Sequence, residues 1–167
     1  MPGPADGSLW IERPEWLAAA LDAEGVRRRY WSKVYAPSPE GCWYWTGAVS
    51  GKGHGRFWIG NGHVIIAHRF AYALAHPGST LPAVVAHECD NPLCQNPGTG
   101  HLHASTHAEN RAEWSQRRFT IASPLRDARG SLGRAIALRG AARRRAQLDA
   151  TAAAGLRPLD RDQPPLW

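Results

Sequence analysis

Residues 84–111 read VVAHECDNPLCQNPGTGHLHASTHAENR, and they constrain the chain more than any other stretch. Two of the three cysteines, four of the eight histidines and three asparagines fall within them. So many polar and thiol groups cannot be packed away without partners, because an unsatisfied buried polar group costs free energy. A metal ion is the economical partner. Cys89 and Cys94 are five apart, and His101 and His103 follow, which suits a knuckle closed by one histidine. A tetrahedral zinc site needs a fourth ligand, and Cys42 is the one other cysteine. Cys42, Cys89, Cys94 and His101 then make a Cys3His structural zinc site, which contributes folding free energy directly. Two alternatives stay open: Cys42 packs as a small apolar residue, and His103 replaces His101. An odd number of cysteines fits metal ligation in a reducing compartment better than a disulfide framework.

The rest of the chain supplies short elements around this stretch. After a loose leader (1–13), Pro14 to Glu24 reads as a helix with Trp16, Leu17, Ala20 and Leu21 on one face and Gly25 just past its end. Arg27, Arg28 and Arg29 beside Tyr30 and Trp31 suit either a DNA backbone or a solvated helix end next to a packed aromatic. Residues 42–47, 56–59 and 63–67 are strand-like, the last two joined by the hairpin signal Asn61-Gly62. They predict a three-stranded antiparallel sheet. Ala67–Ala75 reads as a helix closed by His76, Pro77 and Gly78, and Leu81–His87 as a strand with Val84 and Val85 buried. Thr106 and Glu109 form a capping box that starts a helix running to about Arg118 and places Asn110 in its first turn. Strand, loop, strand and helix from 84 to 118 make a ββα unit, and the fold class is α+β.

Charge points outward. With 20 Lys+Arg against 14 Asp+Glu the chain carries +6, nearly all of it as arginine, which grips phosphate through a planar fork. That favours a polyanionic partner, although a G- and C-rich genome also produces arginine. Residues 119–167 hold nine arginines against four aspartates and few large apolar side chains. Leu132–Ala154, interrupted by Gly133 and Gly140, reads as a helix whose apolar stripe is too poor to bury much core. The segment is expected to be a basic arm, helical or disordered. No apolar run approaches a membrane span, and the N-terminus lacks a secretory pattern, so the expected location is cytoplasmic.

The run Ala86-His87-Glu88-Cys89-Asp90-Asn91-Pro92-Leu93-Cys94-Gln95-Asn96-Pro97, then His101-Leu102 and Thr106 to Asn110, resembles the HNH (ββα-metal) endonuclease superfamily. Its His-Cys box homing endonucleases and phage-type HNH proteins are the most similar. Residues 30–34, 41–47, 53–57 and 67–69 also look like phage-type members, so the resemblance covers about 29–118. It implies a nuclease domain over 29–118, with 1–28 as leader and helix and 119–167 as arm. It implies His87 as general base, Asn110 as the amide ligand of a catalytic Mg2+, Asn96 as a brace of the loop, and Arg56 as a contact to the scissile phosphate. It assigns Cys42, Cys89, Cys94 and His101 to structural Zn2+.

Phosphodiester hydrolysis agrees with these types: neutral imidazole is a natural base, and Mg2+ prefers hard oxygen. The expected products are 5′-phosphate and 3′-hydroxyl ends. Double-stranded DNA is the expected partner, contacted by Arg56, Arg69, Arg111, Arg117, Arg118, Arg143, Arg144 and Arg145, with the 55–67 hairpin suited to the major groove. Some relatives are dimers, so homodimerisation through 119–167 stays open beside DNA contact. Ala86 stands where many HNH enzymes carry an acidic metal ligand, which points to the His-Cys box subtype. Gly98-Thr99-Gly100 lengthens the spacing before His101-Leu102, which is why His103 is kept as runner-up. His68 is expected to support the fold or the phosphate contact, His107 to be an exposed helix residue, and His54, His63 and His76 to be ordinary surface or turn residues. The rival readings are a non-catalytic zinc-stabilised DNA-binding protein and a small zinc protein that binds a protein partner.

Overall fold

The computed structural model describes residues 10–145, 147–157 and 160, without the side chain of Asp149. Residues 1–9 of the expected leader and 161–167 of the expected arm lie outside the described residues.

The elements are short, so the core is built from aromatics. Helix α1 (Glu15–Asp22) buries Leu17, Ala20 and Leu21, spaced for one helical face. It ends at Ala23, before Gly25, and α2 (Glu24–Trp31) starts at once with Gly25 inside it. The basic triplet therefore lies on a helix of its own. Arg27 donates to the Leu21 and Asp22 carbonyls at 2.7 Å each, satisfying the end of α1. Arg29 lies over the Phe57 and Trp58 rings and donates to the Trp58 carbonyl. Tyr30 is fully buried at the centre, its ring 4.9–5.4 Å from those of Phe70, Phe57 and Trp45.

Among the described residues, the strands form four two-stranded antiparallel sheets. Strand β1 (Trp10–Glu12) pairs with β6 (Thr80–Pro82), and β2 (Val34–Tyr35) with β3 (Tyr44–Trp45). Strand β4 (Arg56–Gly60) pairs with β5 (His63–Ile66), and β7 (Val84–His87) with β8 (Leu102–Ser105). The molecule is thus α+β with small antiparallel sheets, but the expected three-stranded sheet does not form. One edge of β3 is taken by β2. The other bonds to the cysteine loop, with Trp45 N–H donating to the Leu93 carbonyl and Gln95 N–H to the Trp43 carbonyl. No edge is left for β4.

The β4–β5 hairpin turns at Asn61 (φ 49°) and Gly62 (φ 77°), the doubly positive geometry that Asn-Gly favours. Helix α3 (Ala67–Ala75) ends at His76 as its sequence predicts. The single strand expected over 81–87 is broken into β6 and β7. Arg69 pins the break by donating to the Pro82 and Ala83 carbonyls at 3.0 and 3.1 Å. Val85 is buried, while Val84 is only partly so.

Helix α4 (His107–Arg117) carries the full capping box of Thr106 and Glu109. A 3-10 turn at Pro124–Arg126 leads to α5 (Gly130–Arg144), and α6 (Leu148–Ala153) follows. The expected long helix of 132–154 is therefore two, and the first does enter the core. It buries Ala135, Leu138, Ala141 and Ala142 beside β3. Close approach explains how so weak a stripe suffices. Gly53, at φ 86°, sits where a Cβ would fall 2.9 Å from the Ala135 methyl. Arg139 and Arg143 lock the helix by donating to the Gly47 and Thr46 carbonyls. Among the described residues, no helix is long and apolar enough to cross a membrane.

Candidate metal centre and adjoining histidine cleft

The expected ββα unit is formed by β7, β8 and α4, with His87 opposite Leu102 and Ala86 opposite His103. The loop between the strands carries Cys89, Cys94 and His101. Backbone bonds from β3 to Leu93 and Gln95 bring the segment of Cys42 against it. One ligand atom from each of Cys42, Cys89, Cys94 and His101 lies within 4.8 Å of the others. The His101 Nδ1 is 3.5 Å from Cys94 Sγ and 3.8 Å from Cys42 Sγ. Its Nε2 donates to the Glu40 carbonyl at 2.8 Å, which leaves Nδ1 as the lone-pair nitrogen facing the sulphurs. A carbonyl that fixes the tautomer of a ligating histidine is the usual outer support of such a site. Hydrogen bonds from Cys89 and then Cys94 hold the Cys42 thiol far below its usual range, and the same bonds to Cys42 push the other two up. Three sulphurs and one imidazole in this arrangement fit a zinc-type ion. His103 is not part of the group; its Nε2 is 3.3 Å from Glu113.

Asn96 ties the two halves together. Its Nδ2 donates to the Pro39 and Gly41 carbonyls at 3.1 and 2.8 Å, and its Oδ1 accepts from Gly98 N–H at 2.8 Å. Gln95, fully buried, adds a link that sequence reasoning missed: its Oε1 accepts from the Tyr30 hydroxyl at 2.6 Å. The cysteine loop is thereby fastened to the aromatic core. A polar residue inside a polar motif carries no sequence signal for that role.

On the other side of β7 lies an open cleft of about 910 Å³ lined by His87, Asn110, His54 and His68 among others. His87 is 9% exposed, and its Nε2 donates to the Cys94 carbonyl at 3.2 Å, leaving Nδ1 unprotonated. Burial, then the neighbouring His54, holds its pKa down at about 3, so the ring is neutral at pH 7. His68 Nε2 meets the Val85 carbonyl at 3.1 Å, and burial pushes its pKa well below the usual value. His54, expected to be an ordinary turn residue, instead joins these two. Its ring centroid is 5.2 Å from that of His68 and 5.7 Å from that of His87. The separation of 54, 68 and 87 along the chain hides this cluster from sequence inspection. His63 stacks on Trp16 and His76 on Tyr72, both outside the cleft, while exposed His107 lies on its rim.

The cleft is positive. Lys52, Arg69, Arg111, Arg117 and Arg129 line it against one carboxylate, Asp90. Asp90 is taken: Arg117 Nε donates to its two oxygens at 3.1 and 3.0 Å. Arg117 also bonds Glu113 and the His87 carbonyl, so it clamps α4 to β7 and has little left for a ligand. Arg69 is likewise committed to its two carbonyls. Arg111 is exposed in the cleft, and Arg56 is exposed on β4 opposite Ile66, a cleft residue. Arg118 lies over the Trp114 and Phe119 rings. Arg143, Arg144 and Arg145 sit at the far end of α5, roughly 20 Å of helix from the end that borders the cleft.

Over 71 residues the chain is 48% identical to Protein 2.8 of Escherichia phage T7, and over 71 residues 41% identical to Protein 7.7 of the same phage. Each alignment covers 42% of this chain, and 46% and 52% of the respective relative. The chain thus spans about half the length of the curated relatives it matches. No family model and no solved structure matches it. The similarity associates the chain with phage proteins.

Proposed function

We propose that the chain is an HNH-type, His-Cys box DNA endonuclease that hydrolyses phosphodiester bonds with one Mg2+ and His87 as general base. One observation carries the reading: a neutral, buried His87 with Nδ1 unprotonated and Asn110 open onto the same positively charged cleft, beside a separate Cys3His group. The phage relatives are consistent with it.

The chain's own groups divide the work. The Cys94 carbonyl holds the His87 ring so that Nδ1 accepts a proton from the attacking water. An anionic phosphate in the cleft opposes the depression of the His87 pKa and brings it toward the working range. Three side chains offer oxygen to the cleft. Asp90 is bound to Arg117 and Ser131 is tied by its hydroxyl to the Lys52 carbonyl, whereas Asn110, on the first turn of α4 in the same cleft as His87, offers a hard amide oxygen. Asn110 would hold the Mg2+, which supplies positive charge to the phosphate when bound. Arg111 and Arg56 attract the duplex by its phosphates. Cys42, Cys89, Cys94 and His101 would hold Zn2+ as a staple with no part in the chemistry.

The test is plasmid cleavage with Mg2+ against EDTA, comparing wild type, His87→Ala and Asn110→Ala. Loss of cleavage by at least about a hundredfold in His87→Ala, with DNA binding retained, is expected. Equal cleavage by wild type and His87→Ala would overturn the mechanism. Binding without cleavage by wild type would leave a non-catalytic zinc-stabilised DNA-binding protein.

A further inference from the structure

We propose that His54, His68 and His87 form a second metal site, for a borderline transition-metal ion such as Zn2+, Co2+ or Ni2+, separate from the sulphur cluster. The three rings come from the loop before β4, the start of α3 and the end of β7. One nitrogen from each lies within 4.8 Å of the others. The Nε2 atoms of His68 and His87 face the Val85 and Cys94 carbonyls, which can only accept, so the neutral rings present Nδ1 lone pairs. Nδ1 of His68, in a side chain only 5% exposed, has no hydrogen-bond partner, and neither does buried Nδ1 of His54. Lone pairs gathered without a donor are costly, and a cation removes that cost.

The donor set selects the ion. Three imidazoles suit zinc, cobalt and nickel, whereas Mg2+ prefers oxygen. Carbonyls behind two of the rings orient them as the outer partners of metal-bound histidines do. All three line the open cleft, so a fourth position remains for water or an anion. Lys52 near His54 and Arg69 near His68 oppose a dication, which ranks this site below the sulphur cluster in affinity. It therefore fills second. If the nuclease reading holds, an ion on Nδ1 of His87 removes the base, and zinc beyond the staple's requirement inhibits cleavage. That consequence rests on the preceding reading; the metal count does not.

The experiment is a Co2+ titration of protein already holding one equivalent of zinc, read by visible absorption and by elemental analysis. Wild type is expected to take up a second metal equivalent whose spectrum lacks thiolate-to-cobalt charge transfer. His54→Ala and His68→Ala should keep the first equivalent and lose the second. His54 lies on a half-buried loop, so His54→Ala carries the test if the buried His68 variant fails to fold. Saturation of wild type at one equivalent, or a second equivalent that persists in His54→Ala, would overturn the site. Neither outcome bears on whether the protein cuts DNA with Mg2+. Conversely, absence of cleavage would leave the metal count untouched.

Discussion

At the scale of single residues, the molecule is organised by main-chain carbonyls that decide which nitrogen of a histidine is free. Glu40 does this for His101, Cys94 for His87 and Val85 for His68. The last two rings are buried and neutral, and that has a pH consequence. Burial, and then the nearness of His87, His54 and Arg69, which would repel a proton on His68, lowers its folded pKa well below the 6.5 of the unfolded chain. Below about pH 6.5 the unfolded state binds a proton that the folded state refuses, so stability falls as pH falls toward the folded pKa. Above pH 6.5 the group contributes no slope. Urea unfolding of wild type between pH 6.5 and 5 should lose up to about 1.4 kcal/mol per pH unit through this residue. His68→Asn should show a shallower slope by that amount; an unchanged slope would show that His68 does not titrate as described.

At the scale of elements, α4 shows how a polar helix is held in place without burying a residue. Its capping box fixes the start, and Arg117 bonds Asp90, Glu113 and the His87 carbonyl. Asn110 N–H donates to the Thr106 carbonyl, so the cap sets the position of the proposed Mg2+ ligand. Thr106→Ala should cost about 1 kcal/mol of stability. If Asn110 acts as proposed, the same variant should lower kcat while DNA affinity, measured by gel shift, stays near wild type. The capping box was legible because it is a local pattern. The pairing of β3 was not. Residues 42–47 are strand-like on any local reading, yet both edges of β3 are taken by β2 and the cysteine loop, and only the folded chain shows it.

At the scale of the whole molecule, the sulphur cluster and α5 are the two outlying supports of β3. Chelation by EDTA, or Cys42→Ser, should lower the thermal midpoint and release the segment of residues 39–45, read by hydrogen exchange. Leu138 on α5 is 1% exposed against the core. Leu138→Ala should therefore cost about 3 kcal/mol in urea unfolding, as for other buried leucines. A mere surface arm would lose almost nothing.

The sequence by itself determined the Cys89/Cys94 knuckle with a histidine behind it, the ββα order and the capped helix, while the folded chain brought Cys42 alongside and chose His101 over His103. Each is written in residue type and local spacing: cysteines have few uses in such a loop, and caps and hairpin turns are short-range. Tertiary structure decided the rest. It put His54 beside His68 and His87, turned Arg69 and Arg117 inward as clamps, and docked an alanine-rich helix that sequence hydrophobicity undervalues. The physical reason is common to all three. Which polar groups converge, and how closely backbones approach, depends on the contents of the opposite wall, and no local window contains that wall.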